Sequence, residues 1–98
     1  MQTVMLMRWA GVTAEQYEEA RSRVDWEGDV PDGAVLHVAG VDGDDLRVTD
    51  VWESAEQFQR FVDERLMPAV KEIGIEGEPE VRLYPMQAIF NPKVPAAA

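Results

Sequence analysis

Cysteine is absent and histidine occurs once in the 98 residues. Disulfides, thiolate metal sites and a cysteine nucleophile are therefore excluded. A lone histidine leaves any transition-metal site to be built mostly from carboxylates, so no metal and no cofactor are expected. Bases are scarce too: nine Lys and Arg against nineteen Asp and Glu give a net charge of -10. That balance favours solubility and repels polyanions, so neither nucleic acid nor an anionic membrane is an expected partner. No apolar run approaches the ~18 residues of a spanning helix. The N-terminus has neither the charged nor the apolar region of a signal peptide, and a cytoplasmic location is expected. Phosphate-binding glycine loops, nucleophile elbows and zinc spacings are missing. What is present is an ordinary apolar fraction of 46%, in a length that suits one domain. That domain is expected over 1–91, with 92–98 a disordered tail.

The stretch from Leu46 to Val62 is the most sharply patterned. Leu46, Val48, Asp50 and Trp52 alternate with Arg47, Thr49, Val51 and Glu53, the pattern of a strand. Ser54 with Gln57 three residues on marks a helix start. Phe58, Phe61, Val62 and Leu66 then form an apolar stripe at helical spacing. Upstream, Gln2–Trp9 reads as a strand with both faces largely apolar, Val4 and Leu6 on one and Thr3, Met5, Met7 and Trp9 on the other. Thr13 with Gln16 opens a first helix, with Ala14, Tyr17, Ala20 and Val24 as its stripe. Its Glu15, Glu18 and Glu19 form a solvated face. Asp25–Gly33 is a polar loop, and Trp26 within it is given no role. Ala34–Gly40 is a second strand, joined to the third by a hairpin at Asp42-Gly43. The second helix runs from Ala55 to about Met67, restarts at Pro68 and ends at Gly74. Glu80–Tyr84 is a fourth strand, with Met86–Phe90 as an extended appendage.

Strand-helix-strand-strand-helix-strand is the split pattern of a ferredoxin-like α+β domain, an antiparallel four-stranded sheet with both helices on one face. The bare face then needs cover. One parity of the strands would place Met5, Met7, Trp9, Val35, Leu46, Val48 and Trp52 on it; the other leaves it less apolar. Exposed apolar surface of that extent predicts a homodimer closed by a two-fold axis.

The layout, with Val51-Trp52-Glu53-Ser54 leading into the second helix, resembles the dimeric α+β barrel superfamily, nearest to antibiotic biosynthesis monooxygenase-like domains. The resemblance spans roughly Gln2 to Phe90. It implies two ferredoxin-like subunits forming a barrel, each with a pocket between sheet and helices, and small-molecule chemistry such as cofactor-independent oxygenation. It also implies that Trp52 lines the pocket. Haem-degrading members carry an iron-binding histidine on the second helix, near Phe61 or Val62 here, and neither residue can bind iron. Leu36-His37-Val38-Ala39-Gly40 and Asp50-Val51-Trp52-Glu53-Ser54 are similar to segments of small proteins in the same group, which adds His37 and Asp50 to the carried-over residues.

Hairpin pairing with partners summing to about 85 puts His37 near Val48, with Asp50 diagonal and in reach. An aspartate accepting from one ring nitrogen fixes the tautomer and leaves the other as a base. His37 and Asp50 are thus the candidate catalytic pair; the plainer alternative is a half-buried histidine held by a carboxylate. Trp9, Trp52 and Tyr84 are candidate walls for an aromatic ligand, and Met7, with Met5, Met67 and Met86, an adaptable lining. Ordinary packing explains these residues equally well. Asp42, Asp44 and Asp45 resemble a weak cation site without a full calcium-loop pattern. Arg82 is a candidate contact for a substrate oxyanion or a surface residue. Two functions fit: a metal-free enzyme acting on a small aromatic or apolar molecule (oxygenase, cyclase or isomerase), or a non-catalytic ligand-binding or interaction dimer.

Overall fold

Capping chemistry and strand alternation set the elements of this chain, whose computed structural model describes residues 1–93. β1 (Thr3–Ala10) leads to α1 (Ala14–Val24). The start of α1 is a full capping box: Thr13 Oγ1 accepts from the Gln16 N–H, and Gln16 Oε1 accepts from the Thr13 N–H. β2 (Ala34–Asp42) and β3 (Asp45–Trp52) follow as a hairpin. α2 (Ala55–Phe61) opens on Ser54, whose side chain accepts from the Gln57 N–H. A single π-helical turn, Val62–Leu66, joins α2 to α3 (Met67–Ile73). In that turn the Met67 N–H reaches back to the Val62 carbonyl, five residues away. The widened turn lets Pro68, which lacks an N–H, sit in the first turn of α3. Gly74 ends α3 at φ 85°, a conformation natural to glycine. β4 (Glu80–Pro85) completes the sheet.

The sheet order is β2-β3-β1-β4, every neighbouring pair antiparallel, and α1 packs against α3 over one face. This is the ferredoxin-like α+β arrangement expected from the order of elements. The boundaries move by one or two residues, and β2 runs on to Asp42. Met86 donates from its N–H to the Gln2 carbonyl, and beyond it the chain to Lys93 is irregular. Of the expected tail, positions 94–98 lie outside the described residues.

Two expectations about register and parity are corrected. The hairpin turn is Gly43-Asp44, between paired Asp42 and Asp45, with Gly43 at φ 63°. Pairing partners therefore sum to 87, and His37 stands directly opposite Asp50 rather than diagonal to it. The shift is two residues, so no side chain changes face.

The second correction is larger. Met5, Met7, Trp9, Leu46, Val48 and Trp52 do not form the bare face; they are buried under the helices with Phe58 and Val70. Alternation alone cannot say which parity the helices will cover, because the helix positions come from the connections and not from the strands. The bare face carries the other set. Val4 lies between Tyr84 and Val51, and Leu6 between Arg82 and Thr49, which pairs onward with Val38.

Candidate functional site

Under the helices the core is not filled. Met5, Met7, Trp9 and Trp52 line a cavity of about 240 Å³, together with Tyr17 from α1, Phe58 and Phe61 from α2 and Trp26 from the loop after α1. Its lining is almost wholly apolar, and its polar groups gather at one place, where β2 and β3 pair.

Asp50 is the only charged residue buried among the described ones, at 5% exposure. A buried carboxylate is tolerable only when its oxygens are hydrogen-bonded. Both are. Oδ1 lies 2.6 Å from His37 Nδ1, and Oδ2 accepts from Trp52 Nε1–H at 3.0 Å. Alternation explains the second contact, since Asp50 and Trp52 are two apart on one face. Register explains the first, His37 being opposite Asp50. The far ring nitrogen, Nε2, lies 2.7 Å from the Tyr17 hydroxyl. A chain of four side chains results: Trp52, Asp50, His37, Tyr17.

The proton positions follow from the partners. An ionised carboxylate only accepts, so His37 Nδ1 carries a proton and donates. In the neutral ring Nε2 then accepts from the Tyr17 O–H. The Tyr17 and His37 rings are 3° from parallel with centroids 6.1 Å apart, and they meet end to end through this bond rather than face to face. Burial is the main influence on the Tyr17 phenol and pushes its pKa above the ordinary 10; the nearby Arg21 opposes it.

Trp26 closes the polar end. Its ring lies 4.9 Å from that of His37 and 5.9 Å from that of Tyr17. Local chemistry folds its loop back over the sheet. α1 stops at Asp25, which turns into the left-handed region at φ 55°, and the Asp25 side chain accepts from the Gly28 N–H. Arg65 Nη2 donates to the Val24 carbonyl at 2.7 Å, tying the loop to the π-helical turn. Arg21 is paired with Glu27, and the hydrogen bond it donates holds that carboxyl below its ordinary range.

At the opposite end Trp9 donates from Nε1 to the Glu76 carbonyl. Trp52 packs edge-on against Phe58, at 5.6 Å, and at a tilt of 39° against Phe61, at 5.3 Å. His37, Asp50, Trp52, Trp9 and Met7 are therefore brought together around one space.

Tyr84 is not among them, which corrects its expected place in the pocket wall. It pairs with Val4 on the bare face, because β4 presents Val81 and Leu83 to the helix side. Arg82 shares that bare face, away from the cavity. Met67 packs on the core outside the cavity lining, and Met86 lies beyond β4. The acidic turn is not a cation site either. Arg8 pairs with Asp45 at 2.8 Å and Arg47 with Asp42 at 3.3 Å, and no three potential ligand side chains cluster among the described residues.

Among the lining residues that sequence reasoning missed are the two that meet His37. Tyr17 passed as one member of an apolar stripe, although a tyrosine on a buried helix face brings a hydroxyl that needs a partner. Trp26 passed as a loop residue, although a tryptophan in a polar loop rarely stays in water.

No family model and no curated protein sequence matches the chain. Solved structures do. The cofactor-independent oxygenase SnoaB of Streptomyces nogalater is 15% identical with TM-score 0.67, over 90% of this chain and 95% of that one. An antibiotic biosynthesis monooxygenase-like protein of Nitrosomonas europaea is 8% identical, also with TM-score 0.67, over 88% and 90%. A de novo designed protein, Foldit4, is 16% identical with TM-score 0.61, over 89% and 100%. A designed chain in that company makes plain that the scaffold does not by itself carry an activity. At the level these likenesses reach, the chain has the ferredoxin-like α+β fold of the antibiotic biosynthesis monooxygenase-like proteins.

Proposed function

We propose that this protein is a small-molecule enzyme that removes a proton from an aromatic or enolisable substrate, with His37 as the base and no metal or organic cofactor. The observation that carries this reading is the hydrogen-bonded run Trp52–Asp50–His37 opening into an apolar cavity. Asp50 holds the imidazole in one tautomer and balances the charge that forms when it takes a proton. Trp52, Trp9 and Met7 supply flat apolar walls that a ring system would pack against. An apolar cavity of roughly 150 Å³ takes one benzene ring, so about 240 Å³ suits one or two rings. Loss of the proton leaves an electron-rich anion, the species that oxygenation, cyclisation and isomerisation all begin from. The oxygenase SnoaB, similar in fold, adds weight to the first. The single histidine has both ring nitrogens engaged, which argues against its use as a metal ligand.

The working unit in this reading is a homodimer of one domain, 1–91, with the bare sheet face as its contact. Val4, Leu6, Val38 and Tyr84 provide an apolar strip there, although Thr49 and Arg82 make it more polar than the sequence suggested.

One observation favours a non-catalytic ligand-binding dimer instead: a histidine bonded at both nitrogens is also what a purely structural residue looks like. A substrate screen with the wild type and His37→Ala separates the two. Turnover of a phenolic or enolic compound that falls by about 10²-fold or more in the variant, with the fold intact, supports the enzyme. Ligand binding without turnover, changed only in affinity by His37→Ala, supports the binding protein.

A further inference from the structure

We infer that Tyr17, and not His37, is the group that meets the substrate's acidic hydrogen, and that it passes its own proton on to His37 Nε2. The inference rests on the base reading above and deepens it. In the structure the lone pair of Nε2 is not free: the Tyr17 hydroxyl sits on it at 2.7 Å. His37 Nδ1 is committed to Asp50, and the indole N–H groups of Trp52 and Trp9 are committed to Asp50 and Glu76. Tyr17 Oη donates once and can still accept, so it is the acceptor standing in front of the His37 nitrogen. A ligand reaching the pair therefore meets an acceptor oxygen. A phenol or enol, which brings an O–H donor, completes the network; an ether of the same shape does not.

The transfer balances without any added reagent. The ligand O–H bond breaks and its proton bonds to Tyr17 Oη. The original Tyr17 O–H bond breaks and that proton bonds to His37 Nε2. A neutral ligand and a neutral imidazole become an oxyanion and an imidazolium, the latter facing the Asp50 carboxylate. Tyr17 is a neutral phenol before and after. Burial makes its anion costly, so the two protons move together rather than through a tyrosinate. Trp26 packs on both rings and shields one side of the exchange, while the His37 side chain keeps 32% of its surface open to solvent. Tyr17 would thus be a catalytic residue, with His37 acting through it.

The test uses 4-nitrophenol, whose anion is visibly coloured, and its methyl ether 4-nitroanisole, at a pH below the phenol's own pKa in water. Binding is followed separately by quenching of tryptophan fluorescence. Expected is a phenolate band on binding to the wild type, weaker binding of the ether by about tenfold, and in Tyr17→Phe a bound phenol with no band. The phenylalanine keeps the ring packed on Trp26, and circular dichroism confirms the fold. Should Tyr17→Phe be unfolded, the wild-type preference for phenol over ether decides: equal affinity overturns the relay. A full band in folded Tyr17→Phe that is lost in His37→Gln also overturns it, while leaving His37 as a direct base. Wild type that binds the phenol without a band, or binds neither compound, overturns the relay and the base reading together.

Discussion

The two faces of this sheet are built from alternate residues of the same strands, yet they do opposite jobs. The covered face holds Met5, Met7, Trp9, Val48 and Trp52 around a cavity, with Asp50 and His37 at its polar end. The bare face holds Val4, Leu6, Val38 and Tyr84 in a mixed strip, with Arg82 and Thr49 between them. The first face is apolar but not filled, and its low-dielectric surroundings strengthen the buried Trp52–Asp50 hydrogen bond. The second is apolar enough to be covered but too polar to be a core. Neighbouring residues one apart in sequence thus lie on different faces, and substitutions at adjacent positions should separate cleanly.

The largest expected effect comes from putting a charge on the covered face. Val48→Asp buries an unpaired carboxylate at a position 6% exposed, at a cost of several kcal/mol. A chain of this size has little more than that to lose, so the expected outcome is an unfolded protein by circular dichroism. Val38→Asp, on the bare face at 55% exposure, should instead fold normally and halve the mass seen by light scattering. An 11 kDa particle for the wild type at micromolar concentration would remove the dimer from the comparison.

Next comes Asp50→Leu. It strands the buried Trp52 Nε1–H, worth about 1–3 kcal/mol without a partner, and removes the partner of the part-buried His37 Nδ1–H. Chemical denaturation should show a loss of about 2–4 kcal/mol. A loss below about 0.5 kcal/mol would mean that the buried chain is not a stabilised network.

A smaller effect appears in alkali. The Tyr17 pKa is raised above 10 in the folded chain, so its contribution to stability is whole below pH 10 and is lost as the pH rises through the folded value. Tyr17→Phe removes that part of the loss, so its stability should fall less steeply than the wild type's above pH 10. Identical slopes would show that the hydroxyl is not buried on the covered face.

The smallest effect belongs to the exposed rim. Glu27 has its pKa lowered below 4.5 by Arg21, so its contribution is present above 4.5 and lost as the pH falls through the folded value. The pair is solvent-exposed, so Glu27→Gln should leave the neutral-pH denaturation midpoint unchanged within error. A lowered midpoint would show that the Trp26 loop depends on this pair for its place over His37.

The sequence by itself determined the element order. Thr13 with Gln16 and Ser54 with Gln57 mark helix starts by their own hydrogen-bonding chemistry, and Gly74 marks an end by its left-handed conformation. It also determined that Asp50 and Trp52 share a face, since a period of two is a property of the strand alone. The His37–Asp50 contact survived a two-residue error in register because an even shift keeps the face. Only the tertiary structure decided which face the helices cover, and with it the place of Val48, Trp9 and Tyr84. It also decided that Tyr17 and Trp26 close on His37. The reason is one of range. Caps, turns and alternation act over a few residues, whereas Tyr17 reaches His37 across 20 positions through the angle at which α1 lies on the sheet. No local pattern encodes that angle; it is fixed by packing along the whole length of the helix.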